Sequence, residues 1–301
     1  MKRVLVTGAT GFIGRNTLPW LVQRGYDVHA VFGRGEPNTC PDVHWHQADL
    51  LEHGRPSELI RYLAPTHLLH MAWITTPGVY TGSLENLAWV SASLELLRAF
   101  GDAGGKRVVV SGTCMEYDWH YGYCREENTP LAPATLYGVC KNALRAMLQG
   151  LSLHTGTSSA WGRIFFLYGP HENPDRLVSS VIRALLTGRE APCSPGTQWR
   201  DFLHVADVAR AFVELLSGDA TGPVNIASGQ PVAVKDLIHM IGDRLGCREL
   251  IKLGALKTRS DEAHFLAADV SRLHNEVEFE PQFDLADGIN DTIAWWKHHL
   301  S

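Results

Sequence analysis

The stretch Val4-Leu5-Val6-Thr7-Gly8-Ala9-Thr10-Gly11-Phe12-Ile13-Gly14 decides the fold. Val4, Leu5 and Val6 form a short apolar, mostly β-branched run, the signature of a strand buried on both faces. Three glycines follow, and then Leu18, Leu21 and Val22 recur at helical spacing, with Gly25 as a stop. Gly8 lets the chain turn with positive φ, Gly11 lets backbone N–H groups approach a pyrophosphate, and Gly14 lets the new helix pack against the strand. Strand, glycine loop and helix N-terminus in that order make a dinucleotide-phosphate cradle.

Composition narrows the remaining classes. The chain has 301 residues, 45% of them hydrophobic and 20% charged, enough for a substantial core. Its formal net charge of −5 offers no footprint for nucleic acid or a membrane surface. No apolar run reaches the roughly 18 residues of a membrane span. The sequence enters its first strand without a cleavable signal, and Cys40, Cys114, Cys124, Cys140, Cys193 and Cys247 are scattered without ligand spacing. The expectation is a cytoplasmic protein with free thiols. Fifteen histidines give no HExxH pair, so no metal site is predicted.

Outward from the loop, Asp27–Phe32 reads as a second strand. A carboxylate near its end would bind the adenosine ribose of NAD. Phe32-Gly33-Arg34 has none, so Arg34 facing a 2′-phosphate, with Arg15 assisting, favours NADP(H) over NAD; plain surface charge is the alternative for both arginines. His44–Leu50 reads as a third strand and loop, in which Asp49 faces the adenine amino group or caps the next helix. His67–Trp73 reads as a fourth strand and loop, in which Ala72 lets the chain pass close to the cofactor. A helix follows over Leu84–Phe100, and Val108-Val109-Val110 is a fifth strand.

The fifth strand exits through Thr113, and Tyr137 and Lys141 follow at the start of a helix. Residues i and i+4 share a helix face. An ammonium near a phenol lowers its pKa, and a strand-end hydroxyl can hold the same substrate oxygen. Together they form a proton-transfer site at a carbonyl or carbinol.

On these pieces the chain resembles the extended short-chain dehydrogenase/reductase family of nucleotide-sugar epimerases, dehydratases and reductases. The matching stretches are Thr7–Gly14, Asp49-Leu50, His70-Met71-Ala72, Thr113 with Tyr117, Tyr137 with Lys141, Arg163 with Tyr168-Gly169-Pro170, Arg200–Val208 and Asn225–Gly229. The resemblance implies an α/β chain with a Rossmann-type doubly wound parallel sheet over 1–168, joined by residues 203–226, and a smaller α/β substrate domain over 169–301. Tyr137 would be the general acid/base, Lys141 its partner on the nicotinamide ribose, and Thr113 the hydroxyl on the substrate oxygen. Gly8, Gly11, Phe12, Ile13 and Gly14 would hold the pyrophosphate, and Leu50, Met71 and Ala72 would line the cofactor. Arg200 and Arg259 would bind the substrate diphosphate, as a fork of donors suits phosphate; for Arg200 an ion pair with Asp201 or Asp207 is the alternative.

Departures refine the reading. The family's 4,6-dehydratases carry Asp and Glu directly after the Thr, where this chain has Cys114 and Met115. Glu116 is expected to point elsewhere from a strand-like backbone. Phe166 replaces the Asn that many relatives have there. Trp119, His120, Tyr121 and Tyr123 are candidates for the sugar pocket or for a packed loop, and Trp295-Trp296 for core or a docking anchor rather than a binding platform. The resulting expectation is an NADPH-dependent 4-ketoreductase of a nucleotide-linked 4-keto-6-deoxy sugar, with a 4-epimerase as the alternative and a non-catalytic sensor as a third reading. A homodimer pairing the helices near 84–100 and 134–153 is expected from the family.

Overall fold

The structure, a computed structural model, describes residues 2–33, 37, 40–258 and 262–300. In chain order the elements are β1 (Arg3–Thr7), α1 (Gly14–Gln23), β2 (Asp27–Phe32), β3 (Val43–Gln47), α2 (Arg55–Leu63), β4 (His67–His70), α3 (Glu85–Asp102) and β5 (Arg107–Thr113). Then come β6 (Tyr123–Cys124), α4 (Leu136–Thr155), β7 (Ser158–Ile164), β8 (Phe166–Tyr168), α5 (Leu177–Leu186), β9 (Ala191–Cys193), β10 (Trp199–His204) and α6 (Val205–Ser217). The last are β11 (Gly222–Ile226), β12 (Pro231–Ala233), α7 (Val234–Leu245), β13 (Ile251–Leu253), β14 (Phe265–Ala268), α8 (Ser271–Asn275) and α9 (Leu285–Leu300).

Seven parallel strands run in the order β11-β7-β5-β4-β1-β2-β3. The order reverses beside β1, between β2 and β4, the switch point where doubly wound sheets open a ligand crevice. Alternation along β1 sends Val4 and Val6 into a core under α1 and α6, and Leu5 into a second core under α2, α3 and α4. Both faces are covered, which is why the central strands read as continuous apolar runs. The third strand ends at Gln47, so Asp49 and Leu50 lie in the loop beyond it.

The second body packs α5, α7 and α9 around Tyr168, Ile182, Leu237, Ile238, Ile289 and Trp296. Its mixed sheet has the order β12-β10-β14-β6, with β8 alongside β10. Strand β10 feeds directly into α6, which packs on α1, and β11 joins the large sheet beside β7. Strands β8 and β10, which carry Phe166 and Arg200, run side by side in the smaller sheet. Asp201 accepts from the Ser228 amide (2.8 Å), the Ser228 hydroxyl (2.6 Å) and the Gly229 amide (3.1 Å).

Candidate active site

The glycine loop is built for a close ligand. Gly8 turns at φ 71°, and a methyl group at Gly14 would stand 2.1 Å from the Gly8 carbonyl oxygen. Only hydrogen fits there, so the start of α1 lies against the loop. Helix α1 has no side-chain cap and no acidic residue in its first turn, so the positive end of its dipole faces the loop without a neutralising charge. Thr7 ties this loop to the end of β4. Its Oγ1 pairs with His70 Nδ1 (2.7 Å) and accepts the Met71 and Ala72 amides (3.2 Å each). Burial, with Lys141 nearby, pushes His70 down to about 3 and keeps it neutral. Met71 and Ala72 therefore flank Gly8. Leu50 is buried, whereas Asp49 is exposed and accepts the Leu51 amide (3.0 Å). Asp49 does not cap α2, whose N-cap is Gly54. These features fit a dinucleotide.

One sequence assignment, Arg15, finds partners within the protein. Arg15 donates to the Thr10 carbonyl (2.9 Å) and reaches His171 Nδ1 (2.7 Å), bridging the glycine loop to the second body. That engagement differs from the expected role at a 2′-phosphate. Arg34 and Arg259 lie outside the described residues.

Strand β5 delivers Thr113 and the first turn of α4 delivers Tyr137. Thr135 caps α4 through the Gly138 amide (3.1 Å). A methyl at Gly138 would lie 2.4 Å from the Met115 carbonyl oxygen, so the missing side chain lets α4 press against the turn after Thr113. The Thr113 side chain faces the Tyr137 phenol. Tyr80 stands edge-on to Tyr137, with ring centroids 4.9 Å apart, and the Arg176 guanidinium lies 5.3 Å from the Tyr80 ring centroid. Sequence reasoning singled out neither Tyr80 nor Arg176; no periodicity or motif marks them.

Lys141 donates to the Ser111 carbonyl (2.8 Å), and its Nζ lies 3.9 Å from the Trp73 ring centroid but 6.0 Å from that of Tyr137. Burial pushes its ammonium down to about 7, against the pull of Glu116. The Tyr137 phenol is raised, by burial first and by Tyr80 next, with the Thr113 side chain opposing. The expected depression by Lys141 is thus outweighed, because the ammonium turns toward Ser111 and Trp73.

Cys114, Met115 and Glu116 form a 3-10 turn rather than the strand-like backbone expected. The turn sends Glu116 away from the reacting side, into full burial. There its Oε1 accepts the Thr113 amide (2.9 Å) and Trp161 Nε1 (2.8 Å), while Oε2 pairs with Arg163 Nε (2.8 Å). Arg163 continues to the Tyr117 hydroxyl (2.9 Å), which donates to Asn225 (2.8 Å). Cys114 is buried with its thiol pushed up, and Met115 Sδ accepts from the Tyr80 hydroxyl (3.7 Å). Neither offers a titrating acid beside Thr113.

Arg200 donates to the Trp199 carbonyl (2.7 Å) and pairs with Glu262 (3.0 Å), with its guanidinium 5.3 Å from the Phe166 ring centroid. Its partner is therefore neither Asp201 nor Asp207: Asp201 accepts from Ser228 and Gly229, and Asp207 accepts the Gln282 and Phe283 amides (2.9 Å each). In the aromatic loop, Trp119 Nε1 donates to the Cys114 carbonyl (2.8 Å) and Tyr123 lies in β6 against β14. His120 and Tyr121 are exposed. Trp296 is buried in the second body, and His171 packs on Trp295. All six cysteines are free.

A doubly wound sheet, an uncapped glycine loop at its switch point and a buried Thr-Tyr-Lys group define a nicotinamide-dependent oxidoreductase of the short-chain dehydrogenase/reductase class. The profile of the NAD dependent epimerase/dehydratase family matches residues 4–227, and the chain belongs to that family. A dTDP-4-dehydro-6-deoxy-D-allose reductase of Streptomyces bikiniensis is 27% identical over 333 residues, covering 99% of this chain and 97% of its own. A UDP-glucuronate 4-epimerase of Thermodesulfobacterium geofontis is 25% identical over 326 residues, covering 100% of this chain and 98% of its own. The solved structure of MoeE5 in complex with UDP-glucose and NAD is 29% identical, with a TM-score of 0.86 over 99% of this chain and 100% of that one. Among the described residues, no helix is long and apolar enough to cross a membrane.

Proposed function

We propose that the chain reduces the ketone of a nucleotide-linked 4-keto-6-deoxy sugar. The observation that carries this reading is a complete Thr113-Tyr137-Lys141 group without a carboxylate at either position after Thr113. Dehydration needs an acid and a base beside the sugar's C5 and C6, and Cys114 and Met115 supply neither. Bound in the glycine cradle, a nicotinamide cofactor supplies the hydride. Thr113 holds the ketone oxygen, and Tyr137 gives it a proton. Burial keeps the phenol protonated, which is the state a general acid needs. Lys141, at the base of the site, stabilises the phenolate that remains.

Arg200, now paired with Glu262, binds the diphosphate in exchange for that carboxylate. NADPH is the proposed reductant, on the strength of Phe32-Gly33, which lacks a carboxylate at the end of β2. Leu87 of α3 and Val139, Met147 and Leu153 of α4 are exposed on adjacent helices, and a second copy of the chain covers them.

The test is nicotinamide absorbance with NADPH or NADH and a panel of nucleotide-linked 4-keto-6-deoxy sugars. Stoichiometric oxidation with one sugar supports the reductase. A second reading, 4-epimerisation, uses the same three residues and is favoured by the resemblance to MoeE5, whose solved complex contains UDP-glucose and NAD. No net oxidation, with cofactor retained through purification and UDP-hexose interconversion, would replace the first reading with the second.

A further inference from the structure

Strands β2 and β3 carry an unusual set of side chains at the open edge of the large sheet. The register pairs His29 with His44 and Val31 with His46, so Asp27, His29, His44 and His46 project from one face. Asp27 Oδ1 lies 3.3 Å from His29 Nε2 and 3.5 Å from His44 Nε2. Two donors bound at about 2.0–2.1 Å to a tetrahedral zinc ion stand about 3.3 Å apart, so the spacing already matches that edge. Among the described residues, no other three His, Cys, Asp or Glu side chains bring their ligand atoms this close.

The hydrogen bonding points the same way. His29 is 9% exposed, and its buried Nε2 has no directed hydrogen-bond partner, although Asp27 Oδ1 faces it. His29 Nδ1 pairs with His46 Nε2 at 2.8 Å. With the proton on Nδ1, His46 accepts it and the His29 Nε2 lone pair turns toward the carboxylate. With the proton on Nε2 instead, His29 donates to Asp27 Oδ1, and a metal ion would take the place of that proton. A histidine oriented through its far nitrogen is also how metal-bound imidazoles are held. Arg3 Nε takes the other carboxylate oxygen, Asp27 Oδ2, at 2.8 Å, so Oδ1 is the oxygen that faces the two histidines. His44 is exposed and leaves an entry path.

We propose that Asp27, His29 and His44 bind a divalent transition-metal ion, zinc by donor type, with His46 as a positioning residue and the fourth coordination position open to water. The ion clamps edge strand β3 onto β2. It sits at the start of β2, whereas the cofactor cradle lies at the opposite, C-terminal ends of the strands, so it is a structural site and not a part of the reaction.

The test is titration of the whole metal-free chain with cobalt(II), a spectroscopic stand-in for zinc, followed by zinc displacement. The wild type is expected to take up one equivalent with the visible bands of tetrahedral coordination. His44→Ala, an exposed position that leaves the fold intact, should lose those bands, and His46→Ala should weaken uptake about 10–100-fold. His53→Ala, at an exposed histidine elsewhere, should match the wild type. Zinc should raise the melting temperature of the wild type and of His53→Ala but not of His44→Ala. No tetrahedral spectrum in the wild type, or the same uptake in His44→Ala as in the wild type, would overturn the proposal.

Discussion

The Glu116 carboxylate holds the Thr113 backbone amide at 2.9 Å, and Thr113 Oγ1 in turn accepts the Met115 amide at 3.2 Å. This reciprocal cap fixes the turn that presents Thr113. Because the same carboxylate also pairs with Arg163, the position of Thr113 depends on a buried ion pair. Glu116→Gln removes the charge and leaves the Arg163 guanidinium buried without its counterion, which costs about 3–5 kcal/mol. Urea unfolding should show that loss, and the displaced Thr113 should lower kcat by about 10–100-fold. An unchanged kcat in folded protein would mean that β5 alone positions Thr113.

Gly138 sets the spacing between the two elements that carry the reacting hydroxyls. In Gly138→Ala the new methyl meets the Met115 carbonyl, and Pro133 Cβ lies 2.9 Å away, so α4 must move off the turn. The expected result is a fall in kcat of about 10–100-fold with a smaller change in KM. Gly150, on the same helix, has nothing within 4 Å of the corresponding position. Gly150→Ala should keep full activity and raise stability by about 0.4–1 kcal/mol. Equal losses in the two variants would trace the effect to helix propensity rather than to close approach.

Lys141 is placed at a cost in stability. Its folded pKa, about 7, lies below the value of 10.5 for an exposed lysine. Between those values the unfolded chain binds more protons, so this group makes stability rise with pH from about 7 to 10.5 and imposes its full penalty below 7. Lys141→Met should therefore melt above the wild type at pH 6, and the difference should shrink as pH rises. Activity should be lost in the same variant. Tyr137→Phe should lower kcat about 10²–10⁴-fold while retaining cofactor binding, the result that separates an enzyme from a sensor. A Lys141→Met advantage that grows with pH would contradict the burial argument.

What the sequence made legible was local. The glycine loop, the apolar strands and the Tyr137–Lys141 spacing are each set within a few residues, and the periodicities of strand and helix place them. The pairings that tune the site are remote. Glu116 meets Trp161 and Arg163 only because β5 and β7 are neighbours in the sheet. Arg200 finds Glu262 across 62 residues, and Arg15 finds His171 across 156. The Asp27-His29-His44 cluster escaped a search for metal spacing for the same reason: its ligands converge through strand register, not along one helix face. Glu116 shows the remaining gap, since its direction followed from a 3-10 turn that no sequence period announces.

The Arg200–Glu262 pair makes a prediction about substrate affinity. Glu262 Oε1 accepts from Arg200 (3.0 Å) and from Gln198 Nε2 (3.1 Å), occupying the donors that the proposed diphosphate would use. A carboxylate in that place competes with an anionic substrate. Arg200→Ala should raise KM for the nucleotide sugar about 10–100-fold, the worth of hydrogen bonds to a charged group, with little change in kcat. Arg200→Lys should recover only part of this, because an ammonium cannot present the same fork of donors. Glu262→Gln should lower KM, since the competing charge is gone while a side chain of the same shape remains. If Glu262→Gln instead raises KM as Arg200→Ala does, Glu262 orients the arginine for its substrate and the exchange of one anion for another is wrong.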